Sequence, residues 1–447
     1  MSIHEKEVTP SKDEKRKNEM VAKMMVERCR EAAKMYGKKV DVILGGSYAH
    51  DTWLPGKGDI DLFLAFDKEL GKSILATEGL KIAYQALSGY EVVKRFAEHP
   101  YLEGFVDGIR VNVVPCLKVK QGEWISAADR SPFHTELMTK RLDEKMRLHV
   151  RLLKKLLQTQ RLYGAEIKIR GFSGYVCEVL IAKWGGLEEV INAASEWKND
   201  TVVSLDDVKA ETKIEGFAIL DPVDQRRNLA KAIAPWKISE FIFLSRIMMR
   251  GTSCDPFEKP LLNYLDENKI SSMIDNVLVV TFRHKKELED TIWGELGRSS
   301  LALVKHLKEE GFEIINYAFS SDLNNSAIAM LMPGDMHMDL TQKTGPEVFR
   351  ASETDRFLFN DRNISWFFLD NFRSLRIEQR RLKNINDAIA YFMEKPVERV
   401  GFSRGIASDA SKSWKIMHGR TIAECKDMVV KDAVRRVFGY SPKMDTC

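Results

Sequence analysis

Asp59 and Asp61 are separated by a single apolar residue in GDIDLFLAF, and the apolar run 40–44 ends in Gly45-Gly46-Ser47. A strand over 59–66 puts Ile60, Leu62, Leu64 and Phe66 on one face and both aspartates on the other, about 7 Å apart at their Cα atoms. Two carboxylates this close repel unless a cation sits between them, and Mg²⁺ carrying a substrate's phosphates is the usual partner. Glycine allows close backbone approach, so the Gly45-Gly46-Ser47 turn can bring N–H groups and a hydroxyl up to a triphosphate. The combination suits nucleotidyl transfer. An Asp-x-Asp pair without the turn would as readily be a solvated surface strand.

The elements that must position these groups are legible around them. Val21, Met24, Met25, Cys29, Ala32, Ala33 and Tyr36 recur at helical spacing over 13–36, with Gly37 as a stop signal. A mixed helical segment over 68–87 and a strand over 91–97 follow. The segment 101–116, YLEGFVDGIRVNVVPC, reads as a hairpin with Asp107-Gly108 as a type I′ turn. DRSPFH at 129–134 is a polar knot ahead of an amphipathic helix over 143–162, on which Met146, Val150, Leu153 and Leu157 repeat. Lys154 and Lys155 project beside that stripe, where lysines ordinarily cover a solvated face. Ser173 is placed to cap the next helix. GTSCDPFEKP, after Arg250, marks a domain boundary.

Strand 277–283, helix 291–310, and strands 313–319 and 327–332 then give a β-α-β-β order, the pattern of a ferredoxin-like or RRM-like unit. No aromatic RNP motif accompanies it. RSLRIEQRRLK at 373–383 is strongly basic and suits a helix lying on A-form RNA, and Arg399, Arg404, Lys412, Lys415 and His418 add cations in a tail.

The 447 residues suffice for three or so domains, and 30% charged against 44% hydrophobic residues is an ordinary globular balance. No apolar run approaches membrane-spanning length and the first residues are charged, which places the chain in the cytoplasm with no membrane partner. The six cysteines show no CxxC pair, so neither a zinc site nor a disulfide framework is expected, and the thiols are read as reduced. A net charge of +4 is compatible with RNA bound through a local basic face.

The stretch GGSYAHDTWLPGKGDIDLF resembles the GS…(D/E)xD signature of the DNA polymerase beta nucleotidyltransferase superfamily, and in particular the archaeal, class I CCA-adding enzymes. YGAEIKIRGFSGY at 163–175, DPVDQRRN at 221–228 and, more loosely, Lys343-Thr344-Gly345-Pro346 extend the likeness along nearly the whole chain. The resemblance implies an α+β multidomain protein. Its parts are a polymerase-beta-like head (1–140), a helical nucleotide-selecting neck (141–254) and an α/β, ferredoxin- or RRM-like body and tail (255–447) that binds tRNA. It further implies Mg²⁺-dependent, template-independent addition of C, C and A to the 3′ end of tRNA from CTP and ATP, with repair of damaged ends. A homodimer stays open.

Carried over residue by residue, the resemblance makes Asp59, Asp61 and position 112 the catalytic and metal-binding set. Gly46, Ser47, His50, Ser131, His134, Lys154 and Tyr163 fall at nucleotide-contacting positions, and Arg227 at one that helps select C and A. Two positions depart from the pattern. Asn112 stands where the family has its third carboxylate, offering a metal an oxygen but neither a charge nor a proton acceptor. His50 stands where a more basic side chain is common, making a weaker or pH-dependent phosphate contact. A histidine beside Pro132 and Phe133 is also a common structural hydrogen-bonder, and Asp221, Asp224, Arg226 and Arg227 could form a structural ion-pair cluster. The alternatives are a tRNA-binding protein that has lost chemistry and another RNA-specific nucleotidyltransferase such as a poly(A) polymerase.

Overall fold

The computed structural model describes residues 3–96, 98–206, 214–334, 340–359, 364–380, 382–394 and 400–441. Ala97 and Arg399 therefore lie outside the described residues. The chain divides into two compact units at Leu261, so the boundaries expected near 140 and 254 both fall within the first. No described helix is long and apolar enough to cross a membrane.

In the first unit a short helix, Ile3–Val8, precedes helix α1 (Lys12–Met35), which is capped by Ser11, whose hydroxyl accepts from the Glu14 N–H. Its stripe of Val21, Ala22, Met25, Cys29, Ala32 and Ala33 is buried, as the spacing predicts. Five strands follow: β1 (Asp41–Gly45), β2 (Ile60–Asp67), β3 (Glu91–Phe96), β4 (Pro100–Val106) and β5 (Ile109–Lys118). They form one sheet in the order β1-β2-β5-β4-β3, with β2 parallel to β5 and the other pairs antiparallel. Ile60, Leu62, Leu64 and Phe66 pack into the same core as the α1 stripe. The β4–β5 hairpin turns at Asp107 (φ 50°) and Gly108 (φ 78°), the two left-handed residues that a type I′ turn requires.

Helices α2 (Ser131–Arg141), α3 (Glu144–Thr159), α4 (Gly174–Trp184) and α5 (Pro235–Arg250) belong to this unit as well. Asp143 and Ser173 cap α3 and α4 through the Met146 and Val176 N–H groups. Such caps contribute about 1 kcal/mol each. DRSPFH is not a knot ahead of the helix. Its last four residues are the first turn of α2, which accepts Pro132 because the first N–H groups of a helix have no internal partner anyway.

The second unit contains β6 (Val277–Arg283), helix α6 (Glu289–Glu309), β7 (Asn316–Ser321), β8 (Asn325–Leu331), β9 (Leu340–Glu347), β10 (Ile364–Asp370), β11 (Arg373–Gln379) and β12 (Lys415–His418). One sheet has the order β12-β6-β8-β7, antiparallel throughout. A second has the order β9-β11-β10. The basic segment 373–379 is thus a central strand, not the expected helix. Within RSLRIEQ the apolar residues Leu375 and Ile377 alternate with Arg376 and Glu378, which pair with each other, and Lys343 on β9 reaches Glu378 at 3.1 Å. Arg376 also lies 4.4 Å over the Phe357 ring, so part of this basic charge is spent inside the fold. Among the described residues four cysteines are free thiols. Cys254 stands in a disulfide, against the expectation that all are reduced, while Cys447 lies outside the described residues.

Candidate active site

The carboxylates owe their position to sheet register. Asp61 on β2 faces Gly45 on β1 and Asn112 on β5, and Asn112 in turn faces Glu103 on β4. These four residues form a row across one face of the sheet, because directly paired residues point the same way. Asp59 immediately precedes β2. Asn112 Nδ2 donates to Asp61 Oδ1 at 2.8 Å, and Asn112 Oδ1 is buried without a hydrogen-bond partner. Arg110 stands 3.6 Å from Asp59 and 3.9 Å from Glu103, and Arg95 donates to Glu103 at 2.8 Å.

Burial pushes Asp61 up to about 6; the Asn112 hydrogen bond, His50 and Arg110 work against that rise and Asp59 works with it. Burial likewise raises Asp59, opposed by Arg110. Both carboxylates are therefore short of positive charge. Two carboxylates and an orphaned amide oxygen are hard oxygen donors of the kind a divalent cation takes, so this donor set fits such an ion. Among the described residues no cluster of three or more His, Cys, Asp or Glu side chains could serve instead.

Beside this row lies a cavity of about 250 Å³ lined by Gly46, Ser47, His50, Ser131, His134, Thr135, Lys154, Tyr163, Gly174, Tyr175 and Glu178. Seven of the sequence-predicted site residues meet here. Gly46 and Ser47 open the short helix Gly46–Ala49, which His50 ends. Gly46 links cavity and carboxylates: it has φ +65°, and a Cβ on it would stand 1.9 Å from Asp61 Oδ2. Gly46→Ala is expected to push the Asp61 carboxylate aside. Nucleotide incorporation would then fall on the order of 100-fold with the circular dichroism spectrum unchanged, since about 1 Å of misplacement suffices for such a loss. Full activity in the alanine variant would show that Asp61 need not sit where it does.

Lys154 does not cover a solvated face. It is 2% exposed, and its Nζ donates to the Thr52 carbonyl at 2.9 Å and the Thr52 hydroxyl at 3.2 Å, 3.8 Å from Glu178. Burial lowers its pKa, with Glu178 opposing. Tyr163, raised by burial, flanks Gly174, where the missing side chain leaves room for the Tyr163 hydroxyl and the Lys154 Nζ. His134 Nε2 lies 3.0 Å from Asp221, and its ring lies 4.2 Å from that of Tyr175.

Arg227 is not among the cavity-lining residues. Its Nη1 donates to Asp221 Oδ2 at 3.0 Å, and Asp221 also accepts from the Tyr175 hydroxyl, so one buried carboxylate ties Arg227 to two groups that do line the cavity. Arg226 and Arg130 pair with Asp224, so the ion-pair cluster expected from DPVDQRRN exists. Arg227 is nonetheless 45% exposed and keeps donors to spare. Sequence reasoning missed Thr135, Gly174, Tyr175 and Glu178 as cavity residues. Glu178 had a signal: it is a charge inside the apolar run Val176-Cys177-Glu178-Val179-Leu180, where an isolated carboxylate would be costly.

Paired carboxylates at the start of one strand, next to a glycine turn and a polar cavity, suit nucleotidyl transfer, and residues 26–134 match the model of a nucleotidyltransferase domain. Residues 149–258 match the second domain of tRNA nucleotidyltransferase, and residues 275–419 the C-terminal domain of CCA-adding enzyme. The chain is 33% identical over 393 residues to a CCA-adding enzyme of Pyrobaculum islandicum, covering 87% of this chain and 91% of that one. It is 31% identical to that of Archaeoglobus fulgidus over 88% of this chain and 91% of the relative. For that of Sulfolobus acidocaldarius the identity is 33%, over 87% and 90%. The chain belongs to the class I CCA-adding enzyme family.

Proposed function

We infer that this chain is a tRNA nucleotidyltransferase that adds C, C and A to the 3′ end of tRNA, with tRNA, CTP and ATP as substrates. The observation that carries the reading is that the cavity assembles the glycine turn, two lysine- and histidine-bearing helices and Tyr163 beside Asp59 and Asp61. Within this reading residues 1–140 are a polymerase-beta-like head, 141–254 a helical neck, and 255–447 a ferredoxin-like body and tail. The antiparallel order β12-β6-β8-β7 supports the last assignment. A cytoplasmic setting belongs to the same proposal.

In the reaction, the tRNA 3′-oxygen bonds to the α-phosphorus as the bond to the β-phosphate oxygen breaks and pyrophosphate leaves. Asp59, Asp61 and Asn112 Oδ1 would hold the divalent ion, which we propose is Mg²⁺; when bound it supplies charge to the phosphates. Asn112 cannot accept the hydroxyl proton, so that role falls to one of the two carboxylates, Asp59 or Asp61. Gly46 and Ser47 would meet the triphosphate, with His50, Ser131, His134 and Lys154 around it and Tyr163 against the sugar. Arg227, held by Asp221, would present its free N–H groups to the acceptor edge of the base.

The test is incorporation of labelled CTP and ATP, separately and together, into tRNA lacking its last three nucleotides. C, C and A in that order establish the reading. Binding of tRNA without any incorporation would instead favour a protein whose Asn112 has cost it catalysis.

A further inference from the structure

Glu178 takes no part in the reaction just described, yet it lies at the back of the cavity, 3% exposed, with three partners. One oxygen is 2.9 Å from His50 Nδ1; the other accepts from the Thr52 hydroxyl and stands 3.8 Å from Lys154 Nζ. A carboxylate accepts only, so the proton of the His50–Glu178 contact is on Nδ1. The opposite nitrogen, His50 Nε2, is buried, has no hydrogen-bond partner and belongs to a residue that lines the cavity. Burial alone would raise Glu178, but the His50 hydrogen bond and Lys154 hold it below the usual carboxylate range. It is an anion behind the imidazole.

We propose that Glu178 is a positioning residue that fixes the His50 ring and favours its doubly protonated form, so that Nε2–H donates to a phosphate oxygen of the bound nucleoside triphosphate. The inference rests on the functional reading above and deepens it. The charged groups facing His50 are Glu178 and Lys154, on α4 and α3, and Asp61 on β2. An arriving triphosphate brings the negative charge that a protonated imidazole can meet. The carboxylate–imidazole pair would thus let a histidine do the work of a permanent cation.

The test uses CTP with Mg²⁺ and no tRNA, so that binding is measured without turnover, by calorimetry between pH 6 and 9 in buffers of differing ionisation enthalpy. The parent chain should take up protons on binding CTP and bind less tightly as pH rises. His50→Ala should weaken CTP about tenfold or more near neutral pH, the scale of a lost charge-assisted hydrogen bond, and should bind with less proton uptake. His50→Arg should restore affinity and flatten the profile. Glu178→Gln should move the fall in affinity to lower pH. Asp61 exchanges protons in every variant, so the differences between variants isolate His50. If His50→Ala matches the parent in affinity and profile while the parent still extends tRNA, the Glu178–His50 proposal is overturned and the function stands. If the parent neither binds CTP nor extends tRNA, both fall. Should Glu178→Gln fail to fold, the two His50 variants decide the matter.

Discussion

Asp61→Asn is expected to lower nucleotide incorporation by roughly 10³-fold, because it removes a carboxylate from the ion-binding set and such charge stabilisation is worth several kcal/mol. The same substitution should stabilise the ion-free protein. The sign follows from the environment of Asp61: burial raises its folded pKa to about 6, so ionisation costs the fold stability. That cost is absent below the ordinary carboxylate range, grows as pH rises towards 6 and is complete above it. The melting temperature of Asp61→Asn without divalent ions should therefore exceed that of the parent at pH 7 to 8, and the two should converge near pH 4. Because a proton on Asp61 competes with the ion, the divalent concentration needed for half-maximal incorporation should rise in the parent as pH drops through about 6. A variant less stable than the parent at pH 8, or one that retains incorporation within a few-fold, would remove Asp61 from the role given to it.

Asn112→Asp is expected to tighten Mg²⁺ dependence on the order of tenfold, because adding a charged oxygen ligand raises divalent affinity. Its effect without the ion should be the reverse. The substitution deletes the Nδ2–H donor that now meets Asp61 at 2.8 Å and sets a second carboxylate in its place, so the pair would share a proton and the fold would be less stable at neutral pH. The Mg²⁺ concentration for half-maximal incorporation, read beside thermal melting with and without the ion, checks both halves. Unchanged Mg²⁺ dependence would mean that position 112 is not a ligand and that its unpartnered oxygen has another explanation.

Much of the site was legible because its parts are local. An Asp-Gly turn, an Asp-x-Asp at a strand start and a helix with a four-three-four apolar step each declare themselves within a dozen residues. What the sequence did not disclose depends on distant partners. Lys154 reads like any helix-surface lysine, and only Thr52 and Glu178, from separate elements, take it inside. Asp221 was visible as one acid in an ion-pair cluster, but its bonds to His134 and Tyr175 join segments far apart in the chain. The segment 373–379 was misread for a different reason. Its basic composition drew attention from the alternation of Leu375 and Ile377 with Arg376 and Glu378, the signature of the strand it is.

The row Gly45, Asp61, Asn112, Glu103 also bears on how this chain could be altered by insertion or deletion. Asn112 reaches the site only because three residues separate it from the Asp107–Gly108 turn, while β5 lies in fixed register against both β2 and β4. One residue gained or lost at that hairpin would turn every side chain of the strand to the opposite face, presenting Val111 or Val113 to the carboxylates and driving the amide into the apolar core. A two-residue change would keep the faces but put Arg110 or Val114 opposite Asp61. Length variation in this protein should therefore be sought in its surface connections and not in this hairpin, whose loop is chemically plain yet sets the spacing of the row.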